Sequence, residues 1–246
     1  MSVPDGLAQI RSTFWNPERS PTVTCATCTA PVDGYAVCFQ CRTQYETSVQ
    51  LADNVVPISY AVKGSQAMSD LYQYKDLRAS HDHRVRAQDR IFGAFYASMS
   101  DHLACIAGLS ARPIIVATVP STGGRTTAHP LDEVRRMFGG WDQALLTFMG
   151  PHALSRDQRR QLQPSWFQVQ GEVRGRHVLL IDDTWVSGVH VQSCAGALKQ
   201  AGATNVTAVT FGRYLDPAFP PPRNYLASHR LRTFDPEICP LTGTAH

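Results

Sequence analysis

With 246 residues, a formal net charge of +3 and 43% hydrophobic residues, the chain can hold one sizeable α/β domain plus a small module. No apolar run reaches the length that spans a bilayer, so no membrane partner is expected, and the mild charge suits phosphate-rich ligands without by itself arguing for nucleic acid. The first residues lack the charged-then-apolar pattern of a secretory leader. Four of the seven cysteines are clustered and three scattered, which does not fit a disulfide framework; a reducing cytoplasm is the expected location.

Residues 1–20 read as a polar entry segment with Phe14 and Trp15 as docking anchors. Cys25-Ala-Thr-Cys28 and Cys38-Phe-Gln-Cys41 follow, two C-x2-C pairs separated by nine residues. Each pair presents two thiolates to one ion, and four thiolates complete a closed tetrahedral Zn²⁺ site with no open position for chemistry. Pro31 and Gly34 suit the turn between the pairs. A redox reading uses one pair and leaves the other unexplained. So short a segment buries little core, so a structural zinc ion would supply much of its folding energy. The expected division is a zinc-ribbon-like module in residues 1–50 and the main domain in residues 51–246.

Residues 55–62 are β-branched enough for a strand, followed by a Gly64 turn and a helical or hairpin segment reaching Lys75. Residues 78–90 are heavily charged, and His81-Asp-His83 reads as a solvated face rather than a metal site. Residues 91–107 have amphipathic helical spacing. Cys105 within them, and Cys194 further on, read as small buried hydrophobes, while Cys239 receives no assignment. Residues 113–119 form a continuous apolar run, as in a buried strand. That run ends in Pro120-Ser121-Thr122-Gly123-Gly124-Arg125. The two glycines let backbone bend close to an anion, and Arg125 can pair with a pyrophosphate; an ordinary turn is built from the same residues, and both readings stand. Residues 130–138 are helix-like, and residues 150–166, with Arg156, Arg159 and Arg160, read as a mobile basic excursion. Residues 206–211 form a further strand, and the proline run in 216–223 reads as a stiff surface connection.

Most of the chemistry lies between these last segments, in Val178-Leu-Leu-Ile-Asp182-Asp183-Thr184-Trp185-Val186-Ser187-Gly188-Val189-His190. Four apolar residues run into two adjacent carboxylates, then a small-residue turn, then helix-forming residues 191–201. Paired acids at a strand end can grip vicinal hydroxyls, and the turn's N–H groups with the helix N-terminus can cradle a phosphate. A ribose 5-phosphate needs both. Within the turn, Gly188 allows close backbone approach, the Ser187 hydroxyl can donate, and His190 can donate or, when protonated, add positive charge. The competing reading is an acid pair that only ends a strand and caps a helix.

This stretch resembles the PRPP-binding signature of type I phosphoribosyltransferases, matching at Ile181, Asp182, Asp183, Ser187 and Gly188 and departing at Val186 and His190, where hydroxyl residues are usual. With the two C-x2-C pairs, Tyr60, Tyr74-Lys75, Val119-Pro120 and Leu154-Ser155…Arg159…Phe167, the whole chain resembles the ComF-type phosphoribosyltransferase-like family. In place of that family's arginine-rich stretch the chain carries Arg125-Thr-Thr-Ala-His129-Pro130. The resemblance implies a Rossmann-like parallel sheet flanked by helices, with the small zinc module at its N-terminal side. It implies catalytic Asp182 and Asp183, a 5-phosphate loop over Thr184–His190, and pyrophosphate contacts from Ser121, Thr122, Gly123, Gly124, Arg125 and Lys75. PRPP would bind with Mg²⁺, and the phosphoribosyl group would pass to a nitrogen acceptor. A non-catalytic relative, binding nucleotide or single-stranded DNA in DNA uptake, is the second implication, with basic residues 84–90 and 156–160 as the patches that permit it. Dimers are common in the superfamily, so a homodimer is a further expectation.

Overall fold

A computed structural model describes residues 3–108, 114–123, 130–136, 138–151, 153, 155 and 157–246. In chain order the elements are α1 (Val3–Thr13), α2 (Phe39–Tyr45), β1 (Asn54–Val62), α3 (Gln66–Gln73), α4 (His81–Ile106), β2 (Ile114–Thr118), α5 (Leu131–Arg136), β3 (Asp142–Gln143), β4 (Leu145–Phe148), β5 (Phe167–Gln170), β6 (His177–Trp185), α6 (Val189–Gln200), β7 (Asn205–Leu215) and α7 (Pro220–Ser228). Five strands form one sheet in the order β1-β7-β6-β2-β3, and every pairing in it is parallel. A separate antiparallel ribbon joins β4 to β5.

A parallel sheet covered on both faces needs strands that are apolar on both sides, and β6 meets this from Val178 to Ile181, all fully buried. Its side chains alternate between two cores. Leu179 and Ile181 pack with Leu71 of α3, Ile91 and Phe95 of α4 and Val134 of α5. Val178 and Leu180 pack with Val191, Cys194 and Leu198 of α6, with Leu146 and Phe167 of the ribbon, and with Cys25, Cys28, Cys38 and Cys41. The four-cysteine segment is thus continuous with the core behind the central strand.

The connections fix where a ligand can enter. From β2 the chain passes through α5 to β3 on one side; from β6 it passes through α6 to β7 on the other. The strand order reverses between β2 and β6, and in open α/β sheets the crevice lies outside the carboxyl ends at such a point.

Helix α3 forms one wall of that crevice. Ser65 starts it, its hydroxyl accepting from the Met68 N–H at 3.3 Å. Midway, the fully buried Asp70 is held by the Arg90 guanidinium of α4 through two bonds of 2.7 and 2.6 Å and by Gln66 at 2.7 Å. Arg90 is therefore committed to this pair and does not belong to a free basic patch. Removing one partner of a buried pair leaves the other charge uncompensated. Asp70→Ala is expected to destabilise the fold by about 3 kcal/mol, measured by urea denaturation; an unchanged midpoint would mean that the pair does not anchor α3.

The charged residues 81–90 are the first turns of α4, with His81, Asp82 and His83 exposed on a solvated helix face as expected. One segment differs from expectation. The proline run opens α7, because prolines in a first helical turn forgo N–H groups that have no partner there in any case.

Candidate functional site

Strand β6 continues through Asp182, Asp183 and Thr184 to Trp185, so both acids lie within the strand rather than after it, and the turn shortens to residues 186–188. Successive strand residues face opposite ways. Asp183 shares the side of Leu179 and Ile181 and is met there by the end of α3. Its Oδ2 accepts from the buried Tyr74 hydroxyl at 2.6 Å and from Lys75 Nζ in an ion pair. Asp182 is half-buried, and one of its oxygens accepts from the Asp183 N–H at 2.9 Å. Burial, and then the neighbouring Asp183 charge, raise the Asp182 carboxyl well above the ordinary range. The two acids are therefore unequal: one is held by a cation and a hydroxyl, while the other favours its protonated form until something stabilises its charge.

Around them lies a cleft of about 370 Å³, bordered by Asp182, Asp183, Thr184, Val186 and His190 from the β6 side and by Ser121 and Thr122 after β2. Met68, Leu71, Tyr72 and Lys75 of the α3 segment close it. The structure thus gathers eight of the fifteen sequence-derived sugar-phosphate candidates at one place. Gly123 follows the Ser121–Thr122 edge and is open to solvent, its N–H near the Ser121 hydroxyl at 3.4 Å. Gly124 and Arg125 lie outside the described residues.

Trp185, Ser187, Gly188 and Val189 do not line the cleft. The Trp185 indole is fully buried in the core. Gly188 is the N-cap of α6, with φ +80° and no capping side chain. A Cβ there would lie 2.1 Å from Trp185 Cζ2. The glycine is thus required by its left-handed backbone and by the tryptophan beneath it. The Val189 N–H faces the Ser187 hydroxyl at 3.5 Å; with no side chain on Gly188 to cap the helix, the N–H groups that follow keep the anion-binding capacity of a helix start. Gly188→Ala combines backbone strain with overpacking and is expected to cost about 3 kcal/mol; a thermal melt matching the wild type would contradict this.

His190 sits in the first turn of α6. Burial, and then the nearby Arg159 charge, lower its pKa. Its neutral form is thereby favoured. Of the two expected roles of His190, hydrogen-bond donor or added charge, that form suits the first, and Arg159 is the nearby positive charge.

The turn is also gripped from the cysteine side. Gln44, just after α2's Cys41, donates through Nε2 to the Ser187 carbonyl at 2.8 Å. Arg213 of β7 donates through Nη1 to the carbonyls of Trp185 at 3.0 Å, Val186 at 3.2 Å and Tyr214 at 2.7 Å. Arg213 is buried and has no carboxylate partner among the described residues. Burial alone would lower its pKa, but the thiols of Cys28 and Cys38 more than offset this. Neither Gln44 nor Arg213 was singled out from sequence. An arginine in the otherwise apolar run Val206-Thr-Ala-Val-Thr-Phe-Gly-Arg213 was the available signal, since such a charge must find a partner.

The four cysteines fit one ion. All are buried and unpaired by disulfides, and their sulfurs lie within 4.8 Å of one another. Hydrogen bonds from Cys28, Cys38 and Cys41 push the Cys25 thiol far below the ordinary range. Four thiolates on a divalent ion carry net negative charge, and Arg213 is the cation positioned to balance it.

Comparisons with known proteins give a limited picture. No protein-family model and no curated protein matches the chain. Among solved structures, a hypoxanthine phosphoribosyltransferase from Staphylococcus aureus is 13% identical with a TM-score of 0.34, over 52% of this chain and 64% of that one. A phosphoribosylpyrophosphate synthetase from Mycobacterium smegmatis is 16% identical with a TM-score of 0.32, over 56% of this chain and 39% of that one. A purine phosphoribosyltransferase from Pyrococcus horikoshii is 14% identical with a TM-score of 0.33, over 54% and 90%. The chain spans less than two thirds of the length of the first two.

Proposed function

We propose that the cleft between β2 and β6 binds PRPP and that the chain transfers the phosphoribosyl group to a nitrogen acceptor, releasing pyrophosphate. The observation that carries this is the meeting, in one cleft, of the Asp182–Asp183 pair with Val186 and His190, the residues on either side of the α6 N-terminus. In this reading Asp182 and Asp183 face the ribose hydroxyls and the positive charge that develops at C1. The turn from Thr184 to His190 receives the 5-phosphate, with Arg159 adding potential. Ser121, Thr122, Gly123 and Gly124, with Arg125 and Lys75, border the pyrophosphate. The C1–oxygen bond to pyrophosphate breaks, a C1–nitrogen bond forms, and the acceptor nitrogen loses its proton. The protein contributes positioning and charge stabilisation, with no covalent nucleophile. Residues 1–50 act as the zinc-stiffened support and residues 51–246 as the transferase domain.

Mg²⁺ typically keeps several waters and takes only one or two protein carboxylates alongside substrate phosphates. The cleft's acids fit that role: the described residues gather no group of three or more acids or histidines there that could hold an ion alone. When bound, Mg²⁺ would neutralise charge on the leaving pyrophosphate.

The Asp183 ion pair with Lys75 favours a second reading, a non-catalytic protein that binds nucleotide or single-stranded DNA. Calorimetric titration of PRPP with and without Mg²⁺, on the wild type and Asp183→Asn, separates the two. Heat that depends on Mg²⁺ and falls in the variant supports the transferase. Absence of heat, together with salt-sensitive binding of single-stranded DNA, favours the alternative.

A further inference from the structure

We propose that the chain holds a second zinc-class metal ion, bound by His102 and Cys105 of α4 and by Cys239 and His246 of the C-terminal tail. His102 and Cys105 are three residues apart on one helix, so both face the same way. The ligand atoms of His102, Cys239 and His246 lie within 4.8 Å of one another. Cys105 lies beside this group rather than within it, its sulfur 3.7 Å from that of Cys239, placed to swing in as the fourth ligand. The distance fits two thiolates on one tetrahedral zinc, which stand about 3.8 Å apart when each is about 2.3 Å from the metal; two thiols in van der Waals contact have a similar spacing, so the ligand geometry around His102 decides between them. Cys28 and Cys38 of the first cluster show the same 3.7 Å spacing.

His102 carries the sharpest signal. It is 2% exposed, and its Nε2 lies 2.8 Å from the Pro236 carbonyl. A carbonyl can only accept, so Nε2 bears the proton and Nδ1 is left with its lone pair. That Nδ1 is buried and has no hydrogen-bond partner. A metal-ligating histidine is characteristically oriented this way, one nitrogen held by a carbonyl and the other offered to the ion. The His246 ring lies 5.3 Å from that of His102 at 56°, so the two imidazoles are not stacked.

The tail backbone gives an independent indication. At Cys25 the N–H donates to the Ala30 carbonyl at 2.7 Å and the Cys25 carbonyl accepts from Thr29 at 2.9 Å, with Thr29 at φ +58°. At Cys239 the N–H donates to the Thr244 carbonyl at 2.9 Å and the carbonyl accepts from Gly243 at 2.7 Å, with Gly243 at φ +80°. The same turn, at the same offsets, presents both sulfurs. Cys239 therefore sits in a knuckle like that of the first zinc cluster. Having no second cysteine in its own turn, it finds its partners on α4. The ion would tie the tail to that helix.

The test is the metal content of the full chain, purified under reducing conditions with zinc supplied. Two zinc ions per wild-type chain are expected, falling to one in Cys239→Ser and in His246→Ala. His246 is exposed, so its replacement should leave folding intact even if the buried cysteine does not tolerate change. In cobalt-loaded protein, the difference spectrum between wild type and His246→Ala should show tetrahedral cobalt with thiolate and imidazole ligands. One zinc per wild-type chain, retained in full by His246→Ala, would overturn the proposal. So would a Cys105–Cys239 disulfide formed under the same reducing conditions.

Discussion

Asp183→Asn and Asp182→Asn should both lower turnover about 10²–10³-fold, the range for removing a group aimed at transition-state charge, yet they should move stability in opposite directions. Asp183 is the acceptor for the Tyr74 hydroxyl and the partner of Lys75. Replacing it weakens both contacts and should cost about 1–3 kcal/mol of stability. Asp182 is different, because burial and its neighbour raise its carboxyl above the ordinary range. In that window the folded chain binds more protons than the unfolded one, so stability falls as pH rises from the ordinary carboxylate pKa through the raised value. An asparagine has no such slope. Asp182→Asn should match the wild type in acid and exceed it at neutral pH, as read by urea denaturation at several pH values. Equal behaviour of the two variants would mean that the acids are not divided into one anchored and one strained group.

Removing the zinc proposed for the four-cysteine cluster should weaken sugar-phosphate binding although no cysteine borders the cleft. The route is mechanical and electrostatic. Gln44 holds the Ser187 carbonyl, and Arg213 holds those of Trp185 and Val186. Loss of the thiolate cluster leaves Arg213 buried without its counter-charge, at a cost of about 3–5 kcal/mol for an unpaired buried ion. Cys41→Ser, or chelation of the wild type, should therefore lower the melting temperature and weaken ribose 5-phosphate binding together. A metal-free chain that melts and binds like the wild type would show that the cluster and the turn are independent.

Much of the scaffold was legible because its signals are local. The apolar run of residues 178–181 marks a central strand, and the C-x2-C spacing marks a closed four-cysteine cluster. Pairings across the sheet were not legible. Nothing near Asp183 in sequence announces that Tyr74 and Lys75 will meet it, since that contact depends on α3 being pinned by Asp70 to α4. The reason for Gly188 was also hidden: the turn pattern suggested close approach of an anion, whereas the nearest obstacle to a side chain is Trp185. Cys105 read as a small buried hydrophobe, but it is only half-buried, and its sulfur meets that of Cys239, far along the chain. Apolar periodicity reports burial, but it does not report which sulfur meets which.

The central claim is that a ribose diol rests against Asp182 and Asp183 while its 5-phosphate occupies the turn ahead of α6. Calorimetric comparison of ribose 5-phosphate with 2-deoxyribose 5-phosphate tests it most directly. Hydrogen bonds to a charged group are each worth about 1.5–3 kcal/mol, so loss of the 2-hydroxyl should weaken binding about 10- to 150-fold, and that preference should vanish in the Asp182→Asn, Asp183→Asn double variant. Equal affinities for the two sugars in the wild type would contradict the account.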